Sequence, residues 1–288
     1  MYKINEIPPL EQKYLQILEC IDGLPNTLYY TGTLPLERRP SVAIVGSRKP
    51  TPYGREVTMQ LASELARRGV VIVSGLALGV DAIAHQAALD AGGTTIAVQA
   101  NGLHRLYPSS NRQLGERIIK QGGAIISEYE TGIDARQHQF LERNRIVSGL
   151  SDAVIVTEAA SRSGTLNTAG HALAQGKYVF AVPGNITSPM SAGCNALLAR
   201  GAAPALSAEV ILEAIMPEAL DDQSQVPLPL GSTPLEQAII DALAQGERDG
   251  DSILSRLNAS PTEFNTALTM LEINGIITPL GANQWTLQ

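Results

Sequence analysis

Several short stretches of this 288-residue chain combine glycine, hydroxyl and arginine in the way that binds phosphate. The first is AIVGSRKPTPYG, residues 43–54, where an apolar run ends in Gly46-Ser47-Arg48 and residues 51–54 read as a helix start. Glycine lets the backbone approach an anion closely. A serine hydroxyl and free helix N–H groups donate to it, and a guanidinium grips it in a bidentate fork. The stretch has neither the G-x-G-x-x-G dinucleotide fingerprint nor the Gly-Lys-Ser/Thr of a P-loop. Two owners remain for the phosphate: a small nucleotide or a nucleic acid backbone.

Four more stretches carry similar chemistry. In VSGLALGVDAIAHQAAL, residues 73–89, Gly75 turns the chain and Asp81 can cap the helix that carries His85. A lone histidine there reads as packing rather than catalysis. In QANGLHRLYPSSNRQL, residues 99–114, Tyr107 stands near Asn111 and Arg112. Tyr107 either stacks on a base or packs beneath its loop. In HQFLERNRIVSGLSDAVIVTEA, residues 138–159, Arg143, Asn144 and Arg145 suit phosphates, sugars and base edges. The alternative for one of these arginines is an ion pair with an internal carboxylate such as Glu158. Ser163-Gly164-Thr165 forms a further anion nest, and Lys177 precedes the sixth apolar run. The four histidines are scattered without triad spacing, and no metal-ligand cluster is visible.

The elements that must position these residues are legible. β-branched-rich runs occur at 42–45, 70–73, 94–98, 124–126, 153–156 and 178–182, separated by helical apolar patterns. Continuous apolar strands alternating with helices imply an α/β fold: a Rossmann-like, doubly wound, mostly parallel sheet over residues 41–216. Such sheets bind ligands at the carboxyl ends of their strands, where these loops fall. Residues 217–233, PEALDDQSQVPLPLGST, read as a linker. Residues 234–288 read as three helices and a hairpin, a small winged-helix domain. Residues 1–40 read as a helical and irregular extension, with one helix over 10–20.

Composition narrows the class. The chain is 44% hydrophobic and 17% charged, enough to bury a core. It shows neither an apolar run long enough to span a membrane nor a secretory leader. Cys20 and Cys194 have no ligand spacing and read as reduced thiols of a cytoplasmic protein. The net charge of −7 is unevenly spread. Residues 41–215 hold 15 basic and 13 acidic side chains, whereas residues 216–288 hold 2 basic and 10 acidic. The middle can carry a basic patch. The acidic C-terminal part, with neither Lys nor Arg in the third helix at 261–274, reads as a protein-contact surface rather than a duplex binder.

The series AIVGSRKPTPYG, VSGLALGVDAIAHQAAL, LYPSSNRQL, ISEYETG, FLERNRIVSGLSDAVIVTEA, SRSGTLNTAGHALAQGKYVFAVPGNI and GCNALLARGA runs in order from residue 42 to 209. It resembles the DNA-processing protein A family, also called Smf. The resemblance implies a single-stranded DNA-binding protein of natural transformation that protects incoming strands, helps displace single-strand-binding protein and loads the RecA recombinase. It also implies an extended Rossmann-like domain that forms a homodimer, with neither cofactor nor catalytic turnover. Carried over by motif, the DNA pocket would hold Gly46, Ser47, Arg48, the region of Arg143, Asn144 and Arg145, and Ser163, Gly164 and Thr165. The chain departs from many relatives at Leu78, where they carry Arg, and at His104 or Arg105, where they carry an Asp in the loop before Tyr-Pro. Its first 40 residues are shorter than a complete sterile-alpha-motif domain.

The competing reading is an enzyme like the Rossmann-type phosphoribohydrolases. Their Pro-Gly-Gly-x-Gly-Thr-x-x-Glu motif ends in a catalytic carboxylate, and the corresponding position here is Thr168. A dinucleotide-dependent oxidoreductase is disfavoured by the missing fingerprint.

Overall fold

The computed structural model describes residues 3–216, 231–245, 247–281 and 283–287. The chain divides into two compact units, Met1–Pro217 and Glu218–Gln288. Most of the 217–233 linker reading therefore lies outside the described residues.

The first unit is built on one nine-stranded sheet. Its strands are β1 (Asn5–Ile7), β2 (Leu28–Gly32), β3 (Ser41–Val45), β4 (Val71–Ser74), β5 (Thr95–Gln99), β6 (Ala124–Ser127), β7 (Ala153–Val156), β8 (Tyr178–Ala181) and β9 (Ala203–Pro204). The order across the sheet is β1-β2-β6-β5-β4-β3-β7-β8-β9. Strands β3 to β9 pair in parallel, and β1 and β2 add antiparallel at the β6 edge. The order reverses at β3, which lies between β4 and β7. A crevice opens at such a switch point because the two flanking connections leave to opposite faces.

Helices cover both faces, so the central strands are buried along their whole length and mostly apolar. Val42 and Ile44 of β3 pack with α1 (Pro52–Arg67), α2 (Val80–Asp90) and α7 (Ala208–Ile215). Ala43 and Val45 face the other side, toward α4 (Gln137–Gly149), α5 (Thr165–Ala174) and α6 (Ala192–Ala199). Helix α3 (Arg112–Lys120) closes a smaller cluster near β5 and β6 with Ile118.

The first 40 residues correct the expected helix over 10–20. Two 3₁₀ turns stand there, Pro9–Glu11 and Gln16–Cys20. Gln12 between them is extended, and its side chain accepts from Leu15 N–H and donates to the Pro35 carbonyl. Tyr14, Leu15 and Leu18 are fully buried in the sheet's core, so tertiary burial decides this segment. The stretch read as irregular supplies β2.

The second unit contains α8 (Pro234–Ala244), α9 (Gly250–Leu257), α10 (Pro261–Ile273), β10 (Ile277–Gly281) and β11 (Gln284–Leu287). Thr233, Asp249 and Ser260 cap the three helices by accepting from the N–H of Glu236, Ser252 and Glu263. Ile239, Ile253, Phe264, Leu268 and Leu271 form its own core. Three helices and an antiparallel hairpin are the winged-helix arrangement.

Candidate nucleic-acid interface

A cavity of about 330 Å³ opens at the carboxyl ends of the strands, over the β3–β7 switch point. Gly46, Ser47 and Arg48 leave β3 to form one wall. Gly46 is required by crowding: a Cβ there would lie 2.7 Å from Val80 Cγ2 and 3.0 Å from the Glu158 carbonyl oxygen. Arg48 is exposed, and among the described residues it enters no ion pair. Its Cζ lies 5.7 Å from the ring centroid of Phe140, a cation–π contact that leaves the guanidinium edge free for an anion.

The opposite wall is the start of α5. Gly164 is its N-cap, and a Cβ built there would meet nothing within 4 Å. Ser163 Oγ accepts from Thr165 N–H, and Thr165 Oγ1 donates to the Gly46 carbonyl, tying the two walls together. The positive end of α5 thus faces the cavity beside exposed Arg162 and Arg48.

The α1 N-terminus corrects the expectation that it would hold the phosphate. The buried Glu158 carboxylate already occupies it, accepting from Thr51 N–H at 3.1 Å and from Thr51 Oγ1 at 2.6 Å. An internal anion takes this positive pole, whereas among the described residues no carboxylate accepts from the first turn of α5, which faces the cavity.

The arginines of α4 have separate fates. Arg143 is 5% exposed and lies beneath the cavity. Its Nη1 donates to the carbonyls of Gly75, at 2.7 Å, and of Val98, and its Nε has no hydrogen-bond partner. Asp81 does not cap α2, whose N-cap is Gly79; its carboxylate accepts from Gly75 and Ala77 N–H. Burial raises the Asp81 carboxyl above its usual range, and the nearby Arg143 guanidinium opposes that rise. Arg143 therefore braces the loop after β4 and contributes positive potential to the floor. Arg145 turns away and pairs with Glu128 at 2.6 Å. The expected alternative of an internal ion pair thus applies to Arg145, with Glu128 and not Glu158. Asn144 stays on the cavity wall, donating to Asn167 Oδ1.

The remaining predicted residues divide. Gly75 sits against Arg143 and lines an aromatic slot beside the main cavity. Asn111 lies outside the cavity and donates to the Leu76 and Ala77 carbonyls, so it supports the same loop. Arg112 also lies outside and pairs with Glu116 at 2.9 Å. Lys177 precedes β8, and the backbone N–H of the next residue, Tyr178, donates to the Asp152 carbonyl just before β7. Lys177 is consequently at the amino edge of the sheet, the opposite end from the cavity.

Sequence reasoning missed Phe140. It stands three residues before Arg143 on α4, and this spacing puts both on one helix face. Its ring lies 5.6 Å from that of Tyr107 at an interplanar angle of 50°, and together with Leu78 and Arg48 they line the slot. Arg162, inside the SRSGT stretch, was also passed over. His85 is fully buried below, as packing requires, with Nδ1 2.6 Å from Thr95 Oγ1. Burial and Arg143 hold its pKa down to about 3. Among the described residues no group of His, Cys, Asp and Glu could hold a metal ion.

The fold and cavity define a doubly wound α/β protein with a phosphate-type pocket and an adjoining aromatic slot at its switch point. The family model for DNA recombination-mediator protein A matches residues 5–216, and the DprA winged helix domain matches residues 223–283. The chain belongs to the DNA recombination-mediator protein A family. It is 38% identical over 287 residues to Protein Smf of Escherichia coli strain K12, covering 94% of this chain and 74% of that protein. The crystal structure of DNA processing protein A from Streptococcus pneumoniae is 40% identical with a TM-score of 0.69, covering 74% of this chain and 75% of that one. The structure of DNA processing protein A from Helicobacter pylori, described for its single-stranded DNA binding mode, is 34% identical with a TM-score of 0.65, covering 77% of this chain and 97% of that one. No helix among the described residues is long and apolar enough to cross a membrane.

Proposed function

We propose that this protein binds single-stranded DNA in the β3–β7 cavity, protects incoming strands during natural transformation and delivers them to the RecA recombinase in the cytoplasm. The observation that carries this reading is the unpaired Arg48 guanidinium, shared between a phosphate-type cavity and an aromatic slot. A phosphate between Arg48 and the α5 N-terminus would leave its base beside Phe140 and Tyr107. Stacking is tolerant of sequence because every base has a π-face. Ser47, Asn144, Ser163, Gly164 and Thr165 complete the grip, with Gly46 allowing close approach. The Helicobacter pylori relative supports single strands as the ligand.

The reading is of a binding protein without cofactor or turnover. Thr168 lines the cavity where a phosphoribohydrolase would carry its carboxylate, and Asp81 is engaged by two backbone N–H groups. A homodimer would place two pockets on one strand and raise avidity. Single-strand-binding protein is the further partner. The winged-helix unit is assigned to protein contact. Residues 231–288 hold 2 basic and 7 acidic side chains, so this unit repels phosphates.

The test is fluorescence anisotropy with labelled oligothymidine and a duplex of equal length. Salt-sensitive binding of the single strand, with weaker binding of the duplex, is the expected result. A protein that binds neither at low salt would refute the reading. A chain ending at residue 216 should keep its single-strand affinity and lose no duplex affinity.

A further inference from the structure

We infer that Glu158 is a positioning residue for strand binding, although it does not line the cavity. The inference rests on the proposed single-strand function and extends it.

One residue holds both ends of the segment that carries Arg48 and Lys49. The Glu158 carbonyl accepts from Ser47 N–H at 2.8 Å, where the segment leaves β3. The Glu158 carboxylate accepts from the N–H and hydroxyl of Thr51, where the segment enters α1. Thr51 Oγ1 in turn accepts from Gly54 N–H. Two of the first N–H groups of α1, those of Thr51 and Gly54, are thereby bonded inside the protein, and Pro52 has no N–H to offer.

The carboxylate is enclosed. Glu158 is 3% exposed, and among the described residues it has no ion-pair partner. Space is reserved for it: a Cβ at Gly54 would overlap its Oε2. Burying a charge without a counter-charge is unfavourable unless donors surround it. Here the donors and the positive pole of α1 do so.

This clamp acts on the ligand in two ways. The loop 47–51 has fixed ends, so Arg48 is presented to the cavity with a smaller backbone-ordering penalty on binding. The helix end nearest Arg48 also carries an internal carboxylate, which repels phosphate there and favours the α5 N-terminus instead. Glu158 leads into the segment that carries Arg162 and Ser163, so a single residue links the two walls.

The experiment measures oligothymidine anisotropy across a salt series for full-length wild type, Glu158→Ala, Glu158→Gln and Thr51→Val, with thermal melts of each. Glu158→Ala should lose roughly tenfold or more in affinity, and its log–log salt slope should fall by about 0.7, one phosphate contact on a single strand. Glu158→Gln keeps an acceptor for Thr51 and should restore the slope. Thr51→Val should fall between wild type and Glu158→Ala. A purely structural role would lower the melting temperature and leave the slope of the folded protein unchanged. Folded Glu158→Ala with wild-type slope and affinity overturns the inference while leaving the function intact. If Glu158→Ala does not fold, a wild-type slope in Thr51→Val overturns it. Wild type that binds no single strand removes the functional reading, and this inference with it.

Discussion

Arg48→Ala isolates the strand-binding contact. The side chain is exposed, and its internal contact is the Phe140 ring at 5.7 Å. Loss of an exposed cation–π contact costs about 0.5–1 kcal/mol, so the variant should fold. Binding should suffer more. Hydrogen bonds to charged groups contribute about 1.5–3 kcal/mol. Removal of the guanidinium should therefore raise Kd by about ten- to a hundredfold. The salt slope should become shallower by about 0.7, because one fewer counterion is released per phosphate. Arg48→Lys keeps the charge but not the planar fork, so it should retain the slope and recover part of the affinity. The assay is anisotropy of labelled oligothymidine across a salt series. A folded Arg48→Ala protein with wild-type affinity and slope would refute the reasoning, since no other exposed cation stands at the junction of cavity and slot among the described residues.

Other outcomes test the rest of the site. Lys177→Ala and Arg112→Ala should bind oligothymidine as wild type does, because neither residue lines the cavity; a shallower slope in either would move the site. Gly54→Ala forces a Cβ onto the Glu158 carboxylate and should lower stability by about 1–3 kcal/mol in denaturant unfolding. His85 is buried neutral with its pKa lowered to about 3, so below pH 6.5 the unfolded chain binds its proton first. Wild-type stability should then fall relative to His85→Leu by about 1.4 kcal/mol per pH unit between pH 6 and pH 4, and be unaffected above pH 7. Equal pH profiles for the two proteins in chemical denaturation would contradict the buried neutral imidazole.

The parallel sheet was legible because strands covered on both faces are mostly continuous apolar runs, as those at β3, β4, β5 and β7 are, with polar residues such as Ser41, Ser74, Thr95 and Gln99 at the strand ends. The C-terminal helices were legible because Thr233-Pro234 and Ser260-Pro261 carry their caps locally. Gly46, Ser47, Arg48 and Ser163-Gly164-Thr165 could be read for the same reason: the strand-to-helix turn is local, and the switch-point rule brings the turns together. The first 40 residues were not legible. Their helix-like spacing is overridden by burial of Tyr14, Leu15 and Leu18 against a sheet formed by distant segments.

Charge partners were the other limit. Arg143 and Arg145 are the same residue type two positions apart on one helix, about 200° apart around its axis. Sequence assigns them one role; packing sends one beneath the cavity and the other to Glu128. The start of α1 and the start of α5 are both strand-to-helix turns of the kind that meets an anion. Only the tertiary structure, by placing Glu158 against Thr51 from 107 positions away, decides that the first meets an internal carboxylate while the second faces the cavity. Local hydrogen bonding and apolar periodicity are written in neighbouring residues. The neutralisation of a charge depends on which distant group folding brings beside it.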